Sequence, residues 1–313
     1  MEQSATLAIM VTYQPTCSTV RLLETFIDQG QSFVVVDNGS NATSSIADIE
    51  LLCRKTKGEY KLRWAELISL NVNRGLAHAQ NVGILKAVEF GAEGVFFFDQ
   101  DSNLPDCFFK GMVEEYNRLS KIYPLGILAP NLYDKNLHQF GRYARLTGNS
   151  YQTVHDIEKP ESVSFVVSSA SFMPVSVFEQ GQKLFASEFF IDQVDTEWSL
   201  RMLSEGKAIV VTNRLTFTHT IGDRSEHHFL GLTIRPNHHG PMRKFYIFRN
   251  GRRTMIDYGR RFPGFKKLMT FRLIHDALGV VLYEQQKGAK IKAMWKGWCA
   301  GKAPAKDWKN YEG

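Results

Sequence analysis

Four short apolar runs in the first hundred residues constrain this chain more than any other feature. They are Leu7-Ala8-Ile9-Met10-Val11-Thr12, Phe33-Val34-Val35-Val36, Leu67-Ile68-Ser69-Leu70 and Val95-Phe96-Phe97-Phe98. Each is of strand length, nearly continuous in apolar character and closed by a turn or a polar group, so each reads as a strand buried on both faces. Between them apolar residues recur at helical spacing: Leu22, Leu23, Phe26 and Ile27, then residues 46–55, then from Ala77 onward. Strand, helix and strand within about thirty residues make a βαβ unit, and its repetition dictates a mainly parallel sheet flanked by helices.

Ligands of such sheets bind beyond the carboxyl ends of the strands, so the residues there carry the chemical information. The first run ends in Tyr13-Gln14-Pro15 and the second in Asp37-Asn38-Gly39-Ser40. The third leads to Asn73-Arg74-Gly75-Leu76-Ala77, and the fourth runs into Asp99-Gln100-Asp101-Ser102. No Gly-x-Gly-x-x-Gly follows the first strand and no Gly-Lys-Ser/Thr occurs, which excludes dinucleotide and P-loop phosphate binding. Two carboxylates one residue apart suit a hard divalent cation that shares its oxygen ligands with substrate phosphates. The plain alternative is a solvated loop or a helix cap. Asp37 has the same two readings, as an acceptor for the amide edge of a base or as a cap with Ser40.

The second half is less regular. Residues 126–130, 163–167 and 208–211 read as strands, and residues 131–160 as polar, aromatic hairpin or loop. Ser168-Ser169-Ala170-Ser171 is a small-residue run where a substrate could approach the backbone. Asp192, Asp195 and Glu197 stand at the start of an amphipathic helix, where the dipole stabilises acids and where one of them could serve as a general base. His219 follows the last strand, whereas His227, His228, His238 and His239 lie in a polar stretch without zinc-protease spacing.

Hydrophobic content of 43% with 22% charged residues fits a globular protein. No apolar run reaches the ~18 residues of a membrane-spanning helix, and residues 1–8 lack the pattern of a secretory signal. Cys17, Cys53, Cys107 and Cys299 are scattered, which argues against a disulfide framework or a zinc site and fits a reducing cytosol. The net charge of +6 is unevenly spread. Residues 241–313 hold 17 Lys and Arg against 5 Asp and Glu, leaving 21 against 27 in the rest. That basic stretch sets Trp295, Trp298 and Trp308 among lysines, the composition of a segment attracted to anionic lipid. A basic helix packed on the body or on a second subunit is the alternative. Arg249, in Phe245-Tyr246-Ile247-Phe248-Arg249-Asn250, is a candidate anion clamp.

In order and spacing, five motifs resemble the inverting glycosyltransferases of family 2, which have the nucleotide-sugar-binding α/β fold called GT-A. They are Val11-Thr12-Tyr13-x-Pro15, Val36-Asp37-Asn38-Gly39-Ser40, Asn73-Arg74-Gly75 with Asn81-x-Gly83, Asp99-x-Asp101, and Asp195 six residues before Arg201. The resemblance runs from about Leu7 to Asn250. Phe189-Phe190-Ile191-Asp192-x-Val194-Asp195-x-Glu197-Trp198 and His219-x-x-Gly222-Asp223 are similar to the bacterial rhamnosyltransferases of cell-surface polysaccharide synthesis.

The resemblance implies a GT-A catalytic domain over residues 1–240, with a nucleotide-binding half to about residue 105 and an acceptor-side half over 106–240, then a basic helical region over 241–313. It implies that Thr12, Tyr13, Asp37, Asn73, Arg74, Gly75, Asp99 and Gln100 bind the donor nucleotide. Asp101, Asp99 and His219 would hold Mg²⁺ or Mn²⁺. Asp195 would be the general base, with Asp192 as second candidate. Ser169, Ala170, Glu197 and Trp198 would lie on the acceptor side, and Arg249 would clamp the diphosphate. The expected reaction is a metal-dependent, inverting transfer of L-rhamnose from dTDP-L-rhamnose to a lipid-linked saccharide, for an O-antigen or capsule-type polysaccharide. The enzyme would be cytoplasmic, peripheral on the inner face of the plasma membrane, compatible with a homo-oligomer and without a nucleic-acid partner. A UDP-hexose donor, or a non-catalytic saccharide-binding or scaffold subunit, are the alternative readings. The chain departs from the family pattern at Gln100 inside the metal motif, at Ala170 where glycine is frequent, and at Val194 where Glu precedes the base.

Overall fold

The structure is a computed structural model, and it describes residues 1–41, 43–59, 62–135, 138–219, 227–229 and 232–302. Its first half is the expected alternation: β1 (Thr6–Thr12), α1 (Cys17–Asp28), β2 (Phe33–Asp37), α2 (Ser44–Glu59), β3 (Ala65–Ser69), α3 (Leu76–Glu89) and β4 (Gly94–Asp99). These four strands pair in parallel in the order β3-β2-β1-β4. After α4 (Phe108–Leu119) come β5 (Leu125–Asp134), β6 (Gln139–Phe140), the hairpin β7 (Tyr143–Thr147) and β8 (Ser150–Val154), β9 (Glu161–Ser162) and β10 (Phe172–Pro174). Then α5 (Val194–Ser204) leads to β11 (Ala208–His219). The sheet continues from β4 as β10-β5-β11-β9, with β10 antiparallel to both its neighbours and β11 parallel to β5.

Successive strand residues point to opposite faces, and both faces are apolar because both are covered. Leu7, Ile9, Val34, Val36, Val95 and Phe97 pack on α3 and on Phe178, Phe185 and Trp198. The close approach of α3 depends on Gly83, where a Cβ would stand 2.3 Å from Ile9 Cγ2. Ala8, Met10, Phe33, Val35, Phe96 and Phe98 pack on the other face against α1, α2 and α4. There Phe26 lies 4.9 Å from Phe98 and meets Phe109 edge-on at 5.1 Å, geometries that the ring quadrupoles favour.

One expected strand is absent. Residues 163–167 are irregular, and the ladder is confined to β9 before them. The segment is apolar because Val163, Phe165 and Val166 are buried, yet its backbone alternates between neighbours. The Val163 amide donates to the Ile209 carbonyl at 2.9 Å and the Ser164 amide to the Ala144 carbonyl at 2.7 Å. A chain shared between β11 and the β7–β8 hairpin cannot form a ladder with either.

The remaining elements are β12 (His227–Phe229), β13 (Leu232–Ile234), α6 (Pro241–Tyr258), α7 (Pro263–Tyr283) and α8 (Lys287–Ala300). The three helices pack onto the α/β body: Met255, Phe265, Leu268, Met269 and Leu273 form a core with Phe165 and Leu200. They are also tied together by a buried ionic cluster. Lys244 Nζ donates to Asp276 at 2.7 Å, Glu284 at 3.0 Å and Asn237 at 2.8 Å, and Lys290 donates to Glu284 at 2.7 Å. Lys290 therefore faces inward, not toward a membrane. Trp298 is half-buried under the Arg252 guanidinium at 4.5 Å, and Trp295 is 67% exposed. Trp308 lies outside the described residues. Among those described, no helix is long and apolar enough to cross a membrane.

Candidate active site

Strand order reverses at β1, since β2 and β3 lie to one side and β4 to the other. A crevice must open beyond the carboxyl ends of β1 and β4 at such a switch point. A cavity of about 550 Å³ lies there, lined by Thr12, Tyr13, Asn38, Asn73, Gly75, Asp99 and Gln100 on one side. Ser168, Ser169, Asp192, Asp195 and Arg243 line the other. Residues far apart in sequence thus meet across one opening.

The floor of the cavity is tied together by hydrogen bonds. Tyr13 donates its amide to Gln100 Oε1 at 2.8 Å, bridging the ends of β1 and β4. Asp37 accepts from the Thr12 hydroxyl at 3.1 Å and from the Ser40 amide at 2.9 Å and hydroxyl at 2.5 Å. It closes its own turn behind Thr12 and is buried, outside the cavity lining. Asn73 Oδ1 accepts from Asn38 Nδ2 at 3.0 Å and from the Gly75 amide at 2.9 Å, and the Arg74 amide donates to Asn38 Oδ1. The Arg74 side chain is half-buried and does not line the cavity. Gly75 has φ +87, and a Cβ there would stand 2.6 Å from the Phe190 backbone. Only glycine accommodates both demands.

Asp99 ends β4 and lines the cavity, whereas Asp101 is exposed two residues further on. The following loop is drawn to β11 by a bridge between Asn103 and Thr218, one residue before His219. The His219 side chain lies outside what the structure describes, as does Gly222-Asp223. Two carboxylates at and beside this cavity suit Mg²⁺ or Mn²⁺, which bind through one or two acids plus substrate oxygens.

Asp195 is in the first turn of α5. Burial pushes its carboxyl up to about 6; contacts with Ser168 oppose the rise, and the nearby Asp99 and Asp192 charges reinforce it. One of its oxygens is buried with no hydrogen-bond partner among the described residues. Ser168 is itself held by Gln80 of α3, whose amide donates to its hydroxyl at 3.1 Å. A carboxylate with so little donor support is a stronger proton acceptor than an ordinary Asp.

Asp192 is in a different state. Arg243 of α6 grips it with Nε at 3.0 Å and Nη2 at 3.1 Å. Burial still raises its pKa, and the Arg243 hydrogen bonds and charge oppose that rise. The loop carrying it is strained: Phe190, Asp192 and Gln193 have φ of +51, +64 and +62, each unfavourable for a residue with a side chain. Asn250 of α6 holds the strain in place, its amide reaching the carbonyls of Phe189, Ile191 and Asp192 at 2.8–2.9 Å. Phe190 also stacks on Tyr246 at 5.0 Å. Sequence reasoning missed Arg243 and Asn250. The one available signal was a buried-looking Asn on an apolar helix face.

Besides Asp37 and Arg74, Trp198, Glu197 and Arg249 lie outside the cavity lining. Trp198 is fully buried, stacked on Phe178 at 5.0 Å in the core. Glu197 is buried and engaged by Arg201 at 2.6 Å and by the Tyr258 hydroxyl at 2.6 Å. Glu197 is turned about 200° away from Asp195 on α5, and the Trp198 ring is taken up by the core between Phe178 and Phe185. Arg249 is 2% exposed, donates to Asn250 Oδ1 and the Glu188 carbonyl, and buttresses the strained loop instead of facing the cavity. Of the acceptor-side candidates, Ser169 lines the cavity and Ala170 does not. Ala170 has φ +62, the conformation that explains why glycine would be favoured there.

A second cavity of about 370 Å³ adjoins the first and shares Leu132, Val167, Ser169 and Asp195 with it. Asp195 therefore stands on a wall common to both.

No family model matches the chain. It is 33% identical over 250 residues to the dTDP-rhamnosyl transferase RfbF of Shigella flexneri, covering 78% of this chain and 77% of that protein. Among solved structures it superposes on GalNAc-T7, determined with UDP, GalNAc and Mn²⁺, with a TM-score of 0.55 and 14% identity. That match covers 89% of this chain and 56% of the other's length, and it speaks to the fold.

Proposed function

The chain belongs to the GT-A glycosyltransferases, in the rhamnosyltransferase group of family 2, and we propose that it transfers L-rhamnose from dTDP-L-rhamnose to a lipid-linked saccharide with inversion. The observation that carries this reading is the position of Asp195 between two cavities, one of them floored by the nucleotide-type motifs Thr12-Tyr13, Asn73 and Asp99-Gln100. A base in that position reaches an acceptor hydroxyl entering from the second cavity while the donor occupies the first. Asp195 takes the hydroxyl proton, the oxygen attacks the anomeric carbon, and the bond to the diphosphate oxygen breaks on the opposite face. Asp101 and Asp99, with His219, would hold a divalent cation, which supplies positive charge to the departing diphosphate. The strained loop at 190–193 and its Asn250 clamp orient Asp195, and the Gln80–Ser168 pair fixes its environment. Preorganisation of this kind places the charge before the reaction needs it.

Residues 1–240, completed by Arg243 and Asn250 of α6, would form the catalytic domain, and the basic region after them would hold it against the inner leaflet where a lipid-linked acceptor lies. The donor reading is tested by thermal shift with dTDP and with UDP, each with and without Mn²⁺. A ligand that binds only the folded state raises its stability with affinity. A larger, Mn²⁺-dependent shift with dTDP is expected, and an equal or larger shift with UDP rejects the rhamnose donor in favour of a UDP-hexose.

A further inference from the structure

We infer that the groove where α6, α7 and α8 converge is a headgroup site for an anionic phospholipid, with Arg252, Arg260 and Lys266 as its phosphate-binding groups. The inference rests on reading the basic region after residue 240 as the part that meets the leaflet, and it assigns that contact to one built groove. The groove has a volume of about 460 Å³, and its walls are the three cations, Thr270, and the apolar Ile256 and Trp298. Arg252, Ile256 and Arg260 are four residues apart and share one face of α6, as Lys266 and Thr270 share one face of α7. Arg243, which lines the first cavity, stands roughly 14 Å along the helix axis from Arg252, at about 1.5 Å per residue. The groove is therefore separate from the candidate active site.

Charge without counter-charge marks the groove. Residues 251–302 hold 12 Lys and Arg against 3 acids, and each acid is taken elsewhere. Asp257 pairs with Arg253 at 2.7 Å, Asp276 with Lys244, and Glu284 with Lys244 and Lys290. No acid is among the described lining residues, and Arg260 and Lys266 form no ion pair among the described residues. Cations gathered in this way repel one another, and an anion bound between them removes the repulsion. Arg252 is already fixed at the groove wall: its Nη1 donates to the Trp298 carbonyl at 2.8 Å, and its guanidinium lies 4.5 Å over the Trp298 ring. A planar guanidinium matches phosphate oxygens in shape and number of donors. The apolar part of the wall indicates which phosphate compound fits. Ile256 is exposed within the groove, Trp295 is exposed one turn before Trp298, and on α7 Phe271 and Ile274 are exposed just beyond Thr270. A free phosphate gains nothing from such a rim. A phospholipid sets its phosphate among the cations and its glycerol and acyl ends against apolar side chains at the interface, where Trp is favoured, and the cationic excess selects an anionic headgroup.

The test uses the full-length protein. Short-chain dihexanoyl phosphatidylglycerol, dihexanoyl phosphatidylcholine and inorganic phosphate are titrated calorimetrically, and phosphatidylcholine vesicles with and without phosphatidylglycerol are co-sedimented with the protein. The groove variant combines Arg260→Gln with Lys266→Gln. A control of equal charge loss combines Lys292→Gln with Lys296→Gln, on α8 outside the groove lining. All four side chains are exposed, so folding and dTDP affinity should persist in both variants. Dihexanoyl phosphatidylglycerol is expected to bind at least about tenfold more tightly than the choline lipid or phosphate. The groove variant should weaken it about tenfold or more, and the control about threefold or less. No binding of the glycerol lipid, equal binding of phosphate or of the choline lipid, or equal losses in the two variants overturns the proposal. If neither kind of vesicle sediments the wild type, the leaflet reading fails by itself, and the short-chain titrations still decide the groove.

Discussion

Replacing Asp195 by Asn should stabilise this protein while removing its activity. The carboxyl is pushed from 3.8 up to about 6, chiefly by burial. A rise of about 2 in pKa corresponds to a folding penalty of about 3 kcal/mol for the ionised form, at about 1.36 kcal/mol per pKa unit. Asn keeps the shape and discards the charge, so ~3 kcal/mol is the ceiling of the gain at neutral pH. With an unfolding entropy of about 2.1 cal/mol/K per residue, a chain of 313 residues would rise in Tm by about 5 °C at that ceiling. The sign reverses the usual carboxylate behaviour. Native Asp195 binds a proton more readily than the unfolded chain does, so its penalty is complete above pH 6 and fades as pH falls toward 4. The advantage of Asn should therefore be largest at pH 7–8 and vanish near pH 4. Turnover should drop by a factor of about 10²–10⁴, the range for loss of a general base, with donor affinity within about twofold. In the wild type, turnover should decline as pH falls through about 6, where Asp195 takes up its proton. Calorimetric melts from pH 4 to 8 and a rhamnose-transfer assay decide the matter. A variant less stable than wild type at pH 7.5, or one that retains wild-type turnover, refutes the reasoning.

Three further perturbations probe the framework around this residue. Gly75→Ala forces a Cβ to within 2.6 Å of the Phe190 backbone at φ +87, so a loss of about 2 kcal/mol or more is expected in urea denaturation, with weakened dTDP binding. Asn250→Ala leaves the carbonyls of Phe189, Ile191 and Asp192 without their shared donor. It should cost about 1–3 kcal/mol and lower kcat at least about tenfold as the strained loop relaxes, a drop read by steady-state kinetics. Lys244→Met deprives the interior Asp276 of its cation and leaves Glu284 paired with Lys290; it should cost about 3–5 kcal/mol, and the double change with Asp276→Leu should recover part of it in the same denaturation assay.

The side of the cavity formed by the ends of β1 and β4 was largely legible from sequence. Nearly continuous apolar runs of strand length define the strands locally, and turn residues such as Asp37-Asn38-Gly39 and Asn73-Arg74-Gly75 mark their carboxyl ends. The segment 163–167 was misread as a strand for a physical reason: burial makes it apolar, while its hydrogen bonds go to two different neighbours. Glu197 was placed at the site although two residues along a helix turn a side chain by about 200°, and Trp198 although its large apolar ring is claimed by the core. Composition at the helix start could not distinguish the face that meets the cavity from the face that meets the core.

The sequence by itself determined the parallel sheet, the strand ends that line the first cavity, and the two acids at and after the end of β4. Those features depend on local periodicity and on side chains a few residues apart. Only the tertiary structure decided how the acids at 192 and 195 differ. Arg243, fifty-one positions after Asp192, claims that carboxylate, and Asn250 fixes the loop between them. Asp195 is left poorly supported between two cavities, with its proton affinity raised by burial. Electrostatic environment depends on which distant groups are packed nearby, and no pattern along the chain encodes that.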